Sequence, residues 1–476
     1  MTDPTGEFES LFPDRSSRLP IGRQLVERLR AAIHNGGLAE GTRLLPSREL
    51  AARIGVSRNT VVAAVEQLVA EGYLVARVGS GTFVARGMTR RSAAVAAPAP
   101  LLPPGARRHL DVAHAVAFAP GGLGAFRDGL PDLDAFPLAA WQRLERRARS
   151  LTARFAYADP AGDTRLRAAL AQHLRQFRGL SLNDDEVLIV EGAQSGFTLI
   201  ADVMLEPGDA VVCEDPSYAA ARAAFTARGA RVHGVPIDDD GLVADDAPPA
   251  RLAYVTPSHQ FPLGGVMSAA RRASLLAWAQ RHDAYIVEDD YDSEFRFNGG
   301  PLQAIQGSDA SGRVIYVGTF SKVLAPGLRV GYVVAPPHLA PALRAARAVG
   351  SLGTSALTQA VLADFVREGF LARHVRRLNA EYQRRGEYLC ELLRDRAGDR
   401  LTIGPLTGGM HVTVRIDPQH DDVAIAARAR ERRVFLHPLS DQCIARDDLR
   451  GFILGFGSTP REAMPDAVDV LVELLP

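Results

Sequence analysis

Apolar residues recur at helical spacing at Ile21, Leu25, Leu29, Ala32 and Ile33, and Gly36-Gly37 ends the run, which predicts a first helix over 21–35. Pro46 to Ile54 predicts a short second helix capped by Ser47. Gly55-Val56 then makes a tight turn, and Ser57 caps a third helix that runs to about Glu71, with Val61, Val62, Val65, Leu68 and Val69 on its core side. After Gly72 the period falls to two in Tyr73–Val78 and again in Thr82-Phe83-Val84, around Gly79-Ser80-Gly81. That pattern predicts a hairpin with a glycine-rich tip, a wing beside a helix-turn-helix.

Residues 87–115 are rich in alanine and proline and poor in large apolar side chains, so they predict a semi-extended tether. Arg90, Arg91, Arg107 and Arg108 give it positive charge. The Gly121-Gly122-Leu123-Gly124 cluster lacks the strand before it and the helix after it that a dinucleotide loop requires. Beyond it, short apolar runs alternate with helical stretches. Glu186–Val190, Asp209–Cys213, Leu252–Val255, Ala284–Val287, Arg313–Val317 and Val330–Val334 read as buried strands, and Ser217–Arg228 as one of the helices between them. This predicts an α/β domain with a mostly parallel sheet and helices on both faces.

A chain of 476 residues with 47% apolar residues and no net charge reads as globular and multidomain, and its global charge says nothing about partners. Three dispersed cysteines, Cys213, Cys390 and Cys443, suit a reducing compartment and offer neither a zinc knuckle nor a disulfide framework. No apolar run is long enough for a membrane span and the acidic start is no signal peptide, so the cytoplasm is expected and no membrane partner. Local charge is equally uninformative. Residues 1–90 carry twelve arginines against nine acids, a net of plus three. DNA binding is suggested instead by the order of parts and by Arg58, Asn59 and Thr60 in the first turn of the third helix, types that bond base edges and phosphates. Arg48, Ser57, Arg77, Ser80 and Gly81 complete the expected DNA-facing set.

Of 55 lysines and arginines, only Lys322 is a lysine. Arginine serves wherever a solvated positive charge suffices, but only lysine offers an amine that can be neutral and nucleophilic, as condensation with an aldehyde requires. Lys322 follows the strand Arg313–Val317 in a loop with Gly318, Thr319 and Ser321, and Arg329 stands close by. Hydroxyls and a guanidinium fork are donors for a phosphate. A phosphorylated aldehyde is pyridoxal 5′-phosphate. Gly192-Ala193-Gln194-Ser195-Gly196, where a strand becomes a helix, could hold phosphate on backbone N–H groups, or be a glycine turn without a ligand. Glu288-Asp289-Asp290-Tyr291-Asp292 places carboxylates after another strand, suited to a pyridine nitrogen; a metal site is the alternative, although no histidine stands near in sequence.

Gly318–Tyr332 resembles the Schiff-base segment of fold-type I aminotransferases. The resemblance makes Lys322 the Schiff-base lysine, Asp289 the partner of the ring nitrogen and Tyr291 that of the ring hydroxyl. Through Asp215-Pro216-Ser217-Tyr218 it makes Tyr218 the residue stacked on the ring, and through Tyr157–Gly162 it sends Tyr157 to the phosphate of a partner subunit. Ala193, Gln194, Ser195, Thr319, Ser321 and Arg329 are the phosphate set. Residues 18–86 resemble the winged helix-turn-helix of GntR-type regulators, through Leu45–Ala51, Gly55–Val61 and Gly72–Val84. Together the halves resemble the MocR or GabR subfamily. The implied layout is a DNA-binding domain over 15–86, a linker over 87–115 and an aminotransferase-like domain over 116–476, with a smaller α+β subdomain from about 345. The implied function is a domain-swapped, head-to-tail homodimer that binds operator DNA and senses a small amine, an amino-acid-related effector or the cofactor itself. The alternative is a working aminotransferase with an accessory domain. Two departures bear on that choice. Phe261 stands where aminotransferases place an asparagine for the ring hydroxyl, with His259 or Gln260 as substitutes, and Ile453 stands where they place the arginine that clamps a substrate carboxylate. Isoleucine offers no such clamp, so little turnover of ordinary α-amino acids is expected; Arg222 or Arg450 could supply another anchor.

Overall fold

The computed structural model describes residues 11–87, 101–116, 124–150, 157–297, 299–300 and 302–475. Arg90, Arg91 and Gly121-Gly122-Leu123 lie outside the described residues. The chain divides into two compact units, 1–101 and 102–476.

The first unit packs three helices and a hairpin around Leu25, Leu29, Ile33, Leu50, Ile54, Val61 and Leu68. Helix α1 spans Ile21–His34, α2 Ser47–Ile54 and α3 Arg58–Ala70; strands β1, Leu74–Arg77, and β2, Gly81–Val84, pair antiparallel. Gly55 ends α2 in the left-handed conformation at φ 68°, which lets the chain turn directly into α3. The Ser57 hydroxyl accepts from Thr60 N at 3.1 Å and caps α3. Replacing Ser57 by alanine is expected to cost about 1 kcal/mol of this unit's stability, read by urea denaturation. Ser47 behaves differently from expectation. It is the first residue of α2 rather than its cap, Pro46 holds the cap position, and no side-chain cap bond forms. Only Val61, Ala64 and Leu68 of α3 are buried; Val62, Val65 and Val69 are half-buried, and of these Val65 and Val69 pack against the core.

The second unit begins with a helix where a tether was expected. Helix α4, Pro104–Val112, starts with proline in its first turn, where a missing N–H costs nothing, and Arg108 Nε donates to Ala227 O at 3.2 Å. That contact gives Arg108 a partner within the large unit. Helices α5, Leu138–Arg149, and α6, Thr164–Arg178, precede the main sheet. Its strands are β3, Val187–Val190; β4, Ala210–Asp215; β5, Arg231–Asp238; β6, Gly241–Leu242; β7, Leu252–Val255; β8, Tyr285–Asp290; β9, Val314–Thr319; and β10, Gly331–Val334. They lie in the order β3-β10-β9-β8-β7-β4-β5-β6. The pairs from β9 through β5 are parallel, whereas β10 runs antiparallel to both its neighbours. Every residue of β3, β7, β9 and β10 is buried, because helices α7, Ala193–Met204, α8, Ala219–Arg228, and α9, Ala269–Arg281, join the earlier helices in covering the sheet. Helices α10, Ala340–Gly350, α11, Ala356–Arg367, and α12, Phe370–Ala397, lead to a small antiparallel sheet. It has the order β11-β12-β14-β13, from Thr402–Ile403, His411–Ile416, Arg450–Gly455 and His437–Pro438, and packs with α13, Asp422–Glu431, and α14, Met464–Leu474. Among the described residues no helix is long and apolar enough to cross a membrane.

Candidate functional site

Because β7, β8 and β9 are parallel neighbours, their carboxyl ends open onto one crevice, where Asp290 lies level with Gly318. The loop after β9 carries Lys322 into it. Lys322 Nζ donates to Gly129 O at 2.9 Å. Gly129 has φ 68°, a left-handed conformation that favours glycine, and a Cβ there would come within 2.5 Å of Nζ and push the lysine's flexible end aside. Burial pulls the amine's pKa below its ordinary value, moderated by the charges of Asp128, Asp292 and Asp289.

The three consecutive acids of β8 have different environments. Glu288 accepts the backbone N–H groups of Ile305 and Gln306. Asp290 is ion-paired with Arg178 at 2.7 Å and accepts from Tyr316. Among the described residues no arginine pairs with Asp289; Tyr254 donates to its Oδ2 at 2.6 Å, and its buried Oδ1 finds no donor there. Asp290 Oδ1 is unpartnered too, but its charge is balanced by Arg178. Burial, with Asp290 adding repulsion, pushes the Asp289 carboxyl up to about 7 from 3.8. A raised carboxyl pKa contributes stability below the unfolded value that is lost as pH rises through the folded one. Asp289 in cofactor-free protein is therefore expected to contribute a loss of stability between about pH 4 and pH 7, opposed over the same range by His173, His374 and His411, whose affinity for a proton burial lowers. Asp289→Asn should flatten part of that slope in thermal melts, and Glu214, raised by burial to about 7, should retain another part.

Across the crevice α7 starts at Gly192 without a side-chain cap, which leaves the N–H groups of Ala193, Gln194 and Ser195 at a positive helix end. Arg329, left-handed at φ 50°, donates through Nη2 to Glu191 O at 2.8 Å, and a Cβ on Gly192 would lie 3.4 Å from its guanidinium. Thr319 Oγ1 donates to Ser321 Oγ at 3.0 Å. Ser195 Oγ donates to Glu191 at 3.2 Å, and Gln194 Nε2 to Ala220 O.

Tyr218 and Tyr291 each meet Phe261 edge to face, with centroids 5.5 and 5.9 Å apart. Tyr291 OH lies 3.0 Å from His259 Nδ1, whereas Gln260 Nε2 points away to Pro216 O and Phe261 O. His259 is thus the polar neighbour that Phe261 cannot be. His259 Nδ1 also contacts Asp292 at 3.0 Å, and His411 brings its ring within 4.9 Å. Histidines remote in sequence therefore stand beside the acidic cluster, their ligand atoms and that of Asp292 within 4.8 Å of one another. Asp128 and His437 are a second pair absent from the sequence reading, 3.2 Å apart. Ile453 is buried, and neither alternative arginine is free: Arg222 donates to Gln442 O and Asp441 O, Arg450 to Leu449 O. Tyr157 is 93% exposed on its own chain and is not part of the cluster.

In the first unit Arg48, Ser57, Arg58, Asn59, Arg77 and Ser80 are exposed, and Thr60 and Gly81 are half-buried. Arg77 lies over the Phe83 ring at 5.0 Å. Gly81, at φ 110°, lets the wing close against Arg43, whose Nε would be 2.8 Å from a Cβ there.

Comparison with known proteins agrees with this division. Residues 21–84 match the family of bacterial regulatory proteins of gntR type, and residues 128–450 match aminotransferase class I and II. The probable rhizopine catabolism regulatory protein MocR of Rhizobium meliloti is 40% identical over 97% of this chain and 95% of its own. The pyridoxine biosynthesis transcriptional regulator PdxR of Corynebacterium glutamicum is 33% identical over 96% and 95%. Among solved structures, the α-aminoadipate aminotransferase LysN of Thermus thermophilus, complexed with N-(5′-phosphopyridoxyl)-L-leucine, superposes with TM-score 0.72 at 27% identity, covering 79% of this chain and 97% of that one. The aminotransferase fold implies pyridoxal phosphate as cofactor, and an unpartnered Asp289 oxygen, a capless helix start and the glycines at 129 and 192 suit it. The chain belongs to the MocR-type transcriptional regulators, in which a GntR helix-turn-helix is joined to an aminotransferase-like domain.

Proposed function

We propose that the large unit is the sensor of a homodimeric regulator, and that Lys322, Asp289, Tyr291, Tyr218 and the phosphate set Ala193, Gln194, Ser195, Thr319, Ser321 and Arg329 hold pyridoxal phosphate in it. The unpartnered carboxylate oxygen of Asp289, in the same crevice as the amine of the chain's one lysine, carries this reading. When bound, the cofactor supplies an aldehyde and an electron-withdrawing ring, which lets the site capture amines. The residues do the rest. Asp289 would share a proton with the ring nitrogen, Tyr291 with His259 would serve the ring hydroxyl, and Tyr218 would cover the ring. Thr319, Ser321, Arg329 and the start of α7 would hold the phosphate.

The dimer is head-to-tail and domain-swapped, and Tyr157 completes the partner's phosphate site; its 93% exposure supports a role outside its own chain. Capture of a small amine effector changes how the winged units engage operator DNA, in the cytoplasm. Arg48, Ser57, Arg58, Asn59, Thr60, Arg77, Ser80 and Gly81 form the DNA face. A promoter fragment should be retained with steep salt dependence. Salt-insensitive retention, or many-turnover conversion of amino donors without promoter binding, would favour an enzyme with an accessory domain instead.

A further inference from the structure

In an aminotransferase-like site the ligand's second handle should be found on β14, and here that position is apolar. Ile453 is fully buried, yet it stands apart from the hydrophobic core that takes its neighbours Phe452 and Leu454. By the two-residue period of a strand it shares a face with Gly455. Gly455 abuts the segment before Lys322's acceptor so closely that a Cβ there would lie 2.2 Å from Arg127 O and 2.6 Å from Asp128 Cα. Ile453 therefore faces the Asp128 side of the site. Its partner across β13 is His437, the residue ion-paired with Asp128. An anion and an isoleucine stand where a carboxylate-binding cation would be needed.

A hydrogen-bond chain sets the state of this anion. Ala219 N donates to Gln442 Oε1, which turns the Gln442 amide nitrogen toward His437 Nε2 at 2.8 Å. His437 Nε2 then accepts, and Nδ1–H donates to Asp128 Oδ2. Asp128 raises the affinity of His437 for a second proton, but the amide donor on Nε2 leaves that proton no place, so the bond geometry favours the neutral ring. Burial opposes the Asp128 charge, and the hydrogen bond that His437 Nδ1–H donates to Oδ2 offsets it and favours the carboxylate. Asp128 is only half-buried, its side chain 27% exposed, so it stays open to a ligand.

We infer that Asp128 is the effector-binding group of this sensor, and that it selects amines carrying a hydroxyl or a second ammonium in place of a carboxylate: amino alcohols rather than α-amino acids. A hydroxyl or ammonium donates to the carboxylate, whereas a ligand carboxylate there meets like charge and an apolar wall. His437 is a positioning residue. This inference rests on the cofactor-loaded sensor reading.

The test uses the full-length holoprotein and matched probes, L-alaninol against L-alanine and serinol against L-serine, followed by the visible absorbance of the bound cofactor and by calorimetry. Each alcohol should half-saturate at least about tenfold below its matched acid. Asp128→Asn, nearly isosteric, should erase that preference while melting stays cooperative; Ile453→Arg should shift it toward the acids. Equal or tighter binding of the acids to the wild type, no binding of either class, or an unchanged preference in Asp128→Asn overturns the inference. Promoter retention by the same preparation separates the two levels. Coloured, DNA-binding protein that prefers amino acids sinks this inference alone, and protein that takes up no cofactor sinks the sensor reading with it.

Discussion

Lys322→Ala is expected to give folded protein that stays colourless in excess pyridoxal phosphate, while wild type gains a visible band and, after borohydride reduction, carries the cofactor's mass on the Lys322 peptide. The loss should be near complete. No second amine of this kind exists, since every other basic side chain of the Lys and Arg set is an arginine. Lys322→Arg should fail as fully, because a guanidinium stays protonated and cannot attack an aldehyde. The cost to folding should be small. The amine makes one hydrogen bond, to Gly129 O, worth about 1 kcal/mol, and burial already disfavours its charge. The phosphate grips remain in the variant, so weak non-covalent uptake without the band is the expected residue. A Lys322→Ala protein with an unchanged visible band would refute the assignment of the amine.

What the sequence made legible is what lies next to a strand end. Thr319 ends β9 and Ser321 and Lys322 follow it, Asp289 and Tyr291 sit on and after β8, and Ala193–Ser195 open α7, so local pattern put each at a strand's carboxyl end or a helix start, and the resemblance assigned their roles. Contacts that need the small sheet to fold back were not legible. Asp128 meets His437 across 309 positions and His259 meets His411 across 152, and no spacing rule links such pairs. Strand β5 was missed for another reason. It has exposed and half-buried positions in alternation near the sheet's edge, and its Gly234 and Pro236 read as turn residues. Helix α4 was hidden by Pro103-Pro104-Gly105, which reads as a breaker although proline is at home in a first turn. Ser47 looked like a cap, yet its hydroxyl lies 3.5 Å from Arg58 Nε instead of on the helix's own N–H groups.

That contact bears on the second large effect, the double replacement Arg58→Ala with Asn59→Ala. Both side chains are exposed at the start of α3, and among the described residues Arg58's side chain makes only a long bond, to Ser47, so folding should hardly change. The Ser57 cap and the buried Val61, Ala64 and Leu68 remain. A residue in direct contact with a base edge contributes about 1–3 kcal/mol, so two lost together should weaken operator binding by roughly a hundredfold or more. A phosphate-only role would leave a different trace, with weaker binding to all sequences alike and a salt slope lower by about one per contact. Titrating operator and scrambled DNA at several salt concentrations distinguishes these outcomes. The cofactor's absorbance should be untouched, because Arg58 and Asn59 belong to a unit with its own core. Wild-type affinity in the double variant would remove α3 from the DNA-reading surface and leave the wing, with Arg77 and Ser80 at its exposed end, as the element to test.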